Sequence, residues 1–427
     1  MISDREDQVR ELVPVALGYG CWHAKNLDRY RNVVGEDIIE VLLALGRRLQ
    51  GIRICHINST PFGGGVAELL TSLVPMVRSL GLEMEWRVIH GDPHFFAMTK
   101  GLHNALQGGT FELSEDRRQA FLAHNLASAG LLPDTYDVCI VNDPQPLALR
   151  HFHHGGRARW IWRCHVDSSS PNPEVWGFLK PYVEAYDAVV FTMDKFVPAD
   201  LRIDEVDLIP PAIDPLSAKN MAIDESLARA VIADAGVDPG RPFLLQVSRF
   251  DPWKDPMGVI EAYRLVKEKH PDVQLALIGA MAGDDPQGWE LFEVISREAL
   301  RDPDLHVGTN LSGIGNLEVN AFQRAATVVI QKSIKEGFGL VISEALWKGT
   351  PVVAGDAGGI PMQMTGELAR YLVEGVEECA QKVERLLESR HERERIGRIG
   401  REQVRANFLM PRLIRDELSL IARLLGR

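Results

Sequence analysis

Long apolar runs are missing from this 427-residue chain, and none approaches the roughly 20 residues that a membrane-spanning helix needs. The first ten residues are acidic and polar, without an apolar centre, so no signal peptide is read and a cytoplasmic protein is the expectation. Cysteine is scarce. The five residues at 21, 55, 139, 164 and 379 are odd in number and lack CxxC spacing, which excludes a disulfide frame. Cys55, Cys139 and Cys164 lie in or at the end of apolar runs and read as buried thiols of a reducing compartment. An excess of positive charge is also lacking: 47 Lys and Arg stand against 59 Asp and Glu, a net charge of -12. That balance argues against nucleic acid or an anionic membrane as main partner. A phosphate-bearing small molecule is still allowed, because a local cluster of cations is enough to hold it. There is no short-period repeat and no low-complexity tract.

What is present is the ordinary balance of a globular protein, 45% hydrophobic and 25% charged, in a chain long enough for two or three domains. Residues 1–50 read as a helical preface with one apolar face (Val34, Ile38, Val41, Leu42, Leu45). Packing on the first domain and packing on a second subunit, as in a homodimer, are both open for it. From Gly51 an alternation of strands and helices begins, with strands expected at 52–57, 84–89, 137–141, 160–164 and 188–191. The extended stretch 207–214, with Pro210 and Pro211, suits a link. A second series follows, with strands at 243–247, 274–278, 305–307, 327–330 and 351–353. The fold class is therefore α/β, with parallel sheets covered by helices on both faces. The expected domains are 51–208, 209–408 and a C-terminal helix over 409–427 that can cross back to the first. Two doubly wound, Rossmann-like domains facing across a cleft would bind ligands at the carboxyl ends of their strands.

The chemistry is expected in the loops there. After the strand at 327–330 comes KEGFGLVISE (335–344), a glycine loop that opens a helix and so makes an anion site. Glu336 falls in the loop and Glu344 about one turn into the helix, both on the ligand side. Acids flanking a phosphate cradle suit the hydroxyl groups of a nucleotide sugar, though acids at a helix start are also favoured by its dipole. Arg249 and Lys254, five apart after the strand at 243–247, can neutralise a departing diphosphate or can pair with Asp251 and Asp255. The loop 58–65 ends in Gly63, Gly64 and Gly65 and is neither GxGxxG nor a Walker loop. Close backbone approach to a phosphate and a tight turn without ligand are both consistent with it. His165 closes a strand where it can bond a sugar hydroxyl, or be a structural residue. Asp143 and Gln145 are candidate acceptor contacts, in a turn that Pro144 and Pro146 also stiffen. No metal set is read. Asp302 with Asp304, Asp284 with Asp285, and His151, His153 and His154 without a carboxylate partner all read as solvated loops.

Taken together, the Glu336 and Glu344 pair, Arg249 with Lys254, the 63–65 loop and His165 resemble the retaining glycosyltransferases of the GT-B fold, family 4. Longer strings are similar to that family's trehalose glycosyltransferring synthases. They are NSTPFGGGVAE (58–68), DPQP (143–146), WRCHVD (162–167), PPAIDPL (210–216), VSRFDPWK (247–254), NAFQRA (320–325) and EGFGL (336–340). The resemblance implies that Arg249 and Lys254 hold the donor diphosphate and Glu344 the ribose hydroxyls. It implies that Glu336 binds the transferred sugar, near the backbone of Gly337, Phe338, Gly339 and Leu340. His165 would face the anomeric centre and the 6-hydroxyl, and Gly64 and Gly65 would touch the phosphate. Asp143, Gln145 and Asp167 would contact the acceptor. Asn142 departs from the family's His at that position, and TGELARYLV (365–373) departs from its usual turn there.

The implied activity is transfer of glucose from a nucleotide diphosphate glucose to glucose, giving trehalose with retained configuration. No cofactor and no metal is required, and the partners are the two small molecules, without nucleic acid or membrane. A trehalose phosphorylase, a transferase with another acceptor such as a sugar phosphate, and a non-catalytic nucleotide-sugar-binding protein are the alternatives.

Overall fold

The structure is a computed structural model that describes residues 13–14, 25–62, 64–281 and 286–427. It divides into two compact units. One holds the described residues up to Pro211 together with Met410–Arg427, the other Ala212–Leu409. The divides lie within a few residues of 208 and 408.

The first unit is built on a seven-stranded sheet. Its strands are β1 (Val13–Pro14), β2 (Arg53–Asn58), β3 (Glu83–Val88), β4 (Val138–Asn142), β5 (Arg159–Arg163), β6 (Ala188–Phe191) and β7 (Val206–Leu208). Their order is β1-β3-β2-β4-β5-β6-β7, all parallel except β1, which runs antiparallel to β3. The central strands are short runs buried on both faces, the pattern of a sheet covered by helices. Trp160, Trp162, Phe191 and Phe121 fill the core beside it.

Two expectations are corrected here. The preface is not helical throughout: Val13–Pro14 adds an edge strand, ahead of the helices Leu27–Val34 and Glu36–Arg48. An edge position tolerates proline because it needs no donor on its outer side. The stretch expected to begin a link at 207 instead starts inside β7, and the link begins only with the prolines that follow.

The second unit contains β8 (Phe243–Val247), β9 (Gln274–Gly279), β10 (Leu305–Thr309), β11 (Val328–Gln331), β12 (Val352–Gly355) and β13 (Leu372–Val373). The order β10-β9-β8-β11-β12-β13, all parallel, is the Rossmann winding. Winding reverses direction between β8 and β11, and in the first unit between β2 and β4. At such points the loops on the two sides part and open a crevice at the carboxyl ends of the strands. The loops 248–255 and 332–339 in one unit, and 59–64 and 143–148 in the other, are those loops.

The C-terminal helix Met410–Leu424 packs in the first unit, against helices Glu36–Arg48 and Gly65–Ser79. Among the described residues no helix is long and apolar enough to cross a membrane. Cys55, Cys139, Cys164 and Cys379 are buried free thiols, and burial pushes Cys55, Cys164 and Cys379 up to about 12. Cys21 lies outside the described residues.

Candidate active site

In the second unit the loop after β8 is shaped by its own aspartates. Asp251 accepts from the Trp253 amide at 2.8 Å and starts the short turn Pro252–Lys254. Asp255 sits at φ +47° and caps the helix Pro256–Lys269 through the Gly258 amide, while Lys332 pairs with its carboxylate. Lys254 is thus released from the pairing with Asp255 that its sequence allows. Its Nζ lies 2.6 Å from Glu336 Oε2, which also accepts from Ser333 Oγ at 3.2 Å. A backbone bond from Ile334 N to Trp253 O at 2.8 Å ties the two loops together. Arg249 is half exposed and 3.7 Å from Asp251, a loose contact that leaves its guanidinium turned to solvent.

The glycine loop has a left-handed residue at Gly339 (φ +83°), which opens helix Leu340–Trp347 without a side-chain cap. Apart from Ile342, whose N–H donates to the Gly339 carbonyl at 3.0 Å, its first-turn N–H groups have no carbonyl within the helix to bond. Phe338 turns its ring inward against Phe408, centroids 5.4 Å apart, so only its backbone can serve a ligand. Glu344 is fully enclosed, with Lys219 Nζ at 2.9 Å and Gln323 Nε2 at 2.9 Å. Burial alone would raise its carboxyl, but Lys219, Lys348 and Gln323 outweigh that and hold it below the usual range. Glu336 and Lys254 are brought together; Glu344 and Arg249 each stand apart from that pair with partners of their own.

Reasoning from sequence missed three participants here. Lys219 follows the proline link with no pattern of its own; the only signal was that an acid inside an apolar helix needs a cation. Gln363 is fully buried and donates to the Phe338 carbonyl at 2.5 Å and the Gly339 carbonyl at 3.3 Å, fixing the loop from beneath. Gly358, at φ +54°, lies so close to the Glu336 carbonyl that a Cβ there would overlap it.

In the first unit, Gly64 (φ +106°) leads into helix Gly65–Ser79, and both glycines are exposed. Gly63 lies outside the described residues. His165 follows β5. Its Nε2 is 2.9 Å from Asn142 Oδ1, and its backbone N–H donates to Asp143 Oδ1 at 2.9 Å. Burial, and then the charges of Arg163, His56 and His103, put the imidazole well below its ordinary range, so it is neutral near pH 7. Asp143 adopts φ +63°, and burial pushes its carboxyl up to about 7 against the lowering effects of the His165 amide and Arg163. Gln145 has a buried Oε1 with no bonding partner, an acceptor open to a donor. Asp167 accepts from the Ser169 amide at 3.0 Å.

Behind these lies a charged group that sequence reasoning missed. Glu417, on the C-terminal helix, is buried between His56 Nε2 (3.1 Å) and Arg163 Nη1 (2.8 Å). His56 is hidden in the strand RICHIN and Glu417 in an amphipathic tail, and neither string carries a motif. Their one mark was a polar residue at a position that the pattern buries.

Of the residues expected in solvated loops, Asp302 and Asp304 are half-buried in ion pairs and His153 is buried, while His151 and His154 are exposed as expected. Lys267 Nζ lies 2.9 Å from Asp302 and 2.8 Å from Asp304, with Arg241 2.8 Å from Asp304, because the cations of the neighbouring elements reach over that loop. His153 is buried and has a carboxylate after all, Asp134 at 3.0 Å. Asp284 and Asp285 lie outside the described residues. Among the described residues no three His, Cys, Asp or Glu side chains are grouped to hold a metal ion.

Comparison with known proteins bears on this geometry. Residues 56–198 match the family described as "Trehalose synthase, N-terminal domain", and residues 229–403 match "Glycosyl transferases group 1". A trehalose synthase of Rubrobacter xylanophilus is 50% identical over 94% of this chain and 98% of its own. One of Thermococcus litoralis is 44% identical over 93% and 97%. Among solved structures, an α,α-trehalose 6-phosphate synthase from Burkholderia multivorans superposes with a TM-score of 0.68. It covers 88% of this chain and 98% of that one, and at 17% identity the likeness is one of fold.

Proposed function

The chain belongs to the trehalose synthase family of glycosyltransferases, and from that premise we propose that it transfers glucose from a nucleotide diphosphate glucose to glucose, with retention at the anomeric carbon. The observation that carries the reading is the Lys254–Glu336 pair, 2.6 Å apart below a helix N-terminus, with Arg249 loosely held on the same loop as Lys254. Lys254 and Arg249 would bind the diphosphate and take up the charge that develops on it as it leaves. Glu336 would accept from hydroxyls of the transferred glucose, and Glu344, kept ionised by Lys219 and Gln323, from the ribose. Backbone N–H groups of Gly337, Phe338, Gly339 and Leu340 would line the phosphate and sugar; Gly64 and Gly65 are the phosphate contacts of this reading in the first unit.

The neutral His165 suits the donor's 6-hydroxyl, which needs a hydrogen-bonding ring and not a charge. Asp143, Gln145 and Asp167 are the acceptor contacts of this reading, and the buried open oxygen of Gln145 is what a glucose hydroxyl would fill. A double displacement needs a nucleophilic carboxylate opposite the acid. Asp143 is a poor one, being half-protonated near neutral pH and committed to the His165 amide. We therefore favour a same-face reaction. The C1–O bond to phosphate breaks, the C1–O bond to the acceptor forms, and the acceptor's proton passes to the departing phosphate oxygen. The cations supply the charge stabilisation, so no metal is assigned a role.

The test is incubation in EDTA with each nucleotide-glucose in turn and glucose, glucose 6-phosphate or no acceptor, products being separated by chromatography. A non-reducing disaccharide with release of nucleotide diphosphate, from glucose alone, is the expected result. Consumption of donor only with the sugar phosphate would move the acceptor assignment. Breakdown of trehalose that requires inorganic phosphate and no nucleotide would replace the reading with a phosphorylase.

A further inference from the structure

Four side chains of the first unit form one hydrogen-bonded series from the C-terminal helix to His165. Glu417 Oε1 is 3.1 Å from His56 Nε2, His56 Nδ1 is 3.4 Å from Asn142 Nδ2, and Asn142 Oδ1 is 2.9 Å from His165 Nε2. All but His165 are buried.

The donor and acceptor roles follow one from another. The Glu417 carboxylate, ionised beside Arg163, can only accept, so the proton of His56 is on Nε2. Its Nδ1 is then a bare acceptor facing the Asn142 amide nitrogen. That nitrogen also donates to the Ile57 carbonyl at 3.1 Å and the Ile140 carbonyl at 3.4 Å. The two hydrogens of the amide nitrogen are shared among these acceptors, which hold that end of the side chain, and the oxygen is left to point at His165. An amide oxygen only accepts, so His165 carries its proton on Nε2 and presents a lone pair on Nδ1.

We propose that Asn142, held by His56 and Glu417, is a positioning residue that sets the tautomer and orientation of His165. Its importance for turnover rests on the role given to His165 above; the series of tautomers does not.

The test combines ring spectroscopy with kinetics on the full-length enzyme. With ¹⁵N-labelled histidine, His165 and His56 are each expected as the Nε2–H tautomer in the wild type; a Nδ1–H ring at 165 overturns the proposal. Asn142→Leu removes the amide at similar size. His165 is then expected to lose its single tautomer, and kcat to fall on the order of 10- to 100-fold with donor KM within about twofold. Glu417→Gln gives its one oxygen to Arg163 and turns N–H towards His56, which moves the His56 proton to Nδ1 and sets two donors face to face at Asn142. The same tautomer loss and kcat fall are expected, and Glu417→Gln should add nothing further when it is made on Asn142→Leu. Losses that multiply in the double variant would make Glu417 a merely structural residue and overturn the series. If Glu417→Gln does not fold, the wild-type spectrum and Asn142→Leu still decide. The spectra need no turnover, so failure of the assigned reaction is separable from failure of this proposal.

Discussion

Arg249 illustrates how stability and rate separate at a single residue. Its side chain is 50% exposed and its nearest carboxylate is 3.7 Å away, so its removal takes little from the fold. Arg249→Ala is therefore expected to change stability by less than about 0.5 kcal/mol while lowering kcat on the order of 10²- to 10³-fold, measured by thermal unfolding and initial rates. Unchanged turnover would remove Arg249 from the mechanism. Asp143 behaves in the opposite way. Its folded value, about 7 against 3.8 for a free side chain, means that the folded state holds the proton more tightly. The stability this contributes is complete below pH 3.8 and is lost as pH rises through 7. Asp143→Asn keeps the acceptor for the His165 amide and tolerates the positive φ, so it should stabilise the protein at pH 8 by roughly 2–4 kcal/mol and leave it nearly unchanged at pH 4. Denaturant titrations at the two pH values measure this, and an equal effect at both would contradict it. Glu344 and Glu417, held below 4.5, have the reverse sense: their contribution is present above pH 4.5 and is lost on acidification.

At the level of elements, the glycine loop is held from below by a contact that its own sequence does not contain. Gln363 supplies donors to the Phe338 and Gly339 carbonyls and accepts from Ser343 Oγ at 2.5 Å. Gln363→Leu would leave buried groups unpaired, at a cost of about 1–3 kcal/mol, and should raise donor KM several-fold because the loop N–H groups lose their aim. A variant with full stability and unchanged KM would contradict that role. Gly358→Ala meets the Glu336 carbonyl directly and should impair transfer more than it impairs folding. The loops themselves were legible in sequence, because strand patterns fix where each one begins and glycines mark the turn. Their supports were not. Gln363, Lys219 and Gly358 come from other segments, and only three-dimensional packing says what lies beneath a loop. The edge strands β1, β7 and β13 were also missed, since two or three residues carry no period.

For the whole molecule, the double winding was readable from the alternation of strands and helices, and the positions of Arg249, Lys254, Glu336 and His165 followed from it. The pairing of Lys254 with Glu336 was not, because Asp251 and Asp255 offered nearer partners in the chain; turn capping and Lys332 engage those aspartates instead. The C-terminal helix was seen as amphipathic, but nothing in its pattern announced the buried Glu417. Glu417→Ala would leave Arg163 enclosed without its bonded carboxylate, at an expected cost of about 3–5 kcal/mol, readable as a lowered denaturation midpoint. A midpoint equal to that of the wild type would mean that the helix is held by its apolar face alone.

The central claim is a retaining transfer that uses nucleotide diphosphate glucose and cationic side chains. Proton NMR of a reaction in EDTA, with one α-linked nucleotide-glucose and unlabelled glucose, tests it most directly. The account predicts α,α-trehalose and nucleotide diphosphate appearing in equal amounts, with no β-linked product at early times. A product inverted at the donor carbon, or a reaction that stops in EDTA and resumes on addition of a divalent cation, would contradict it.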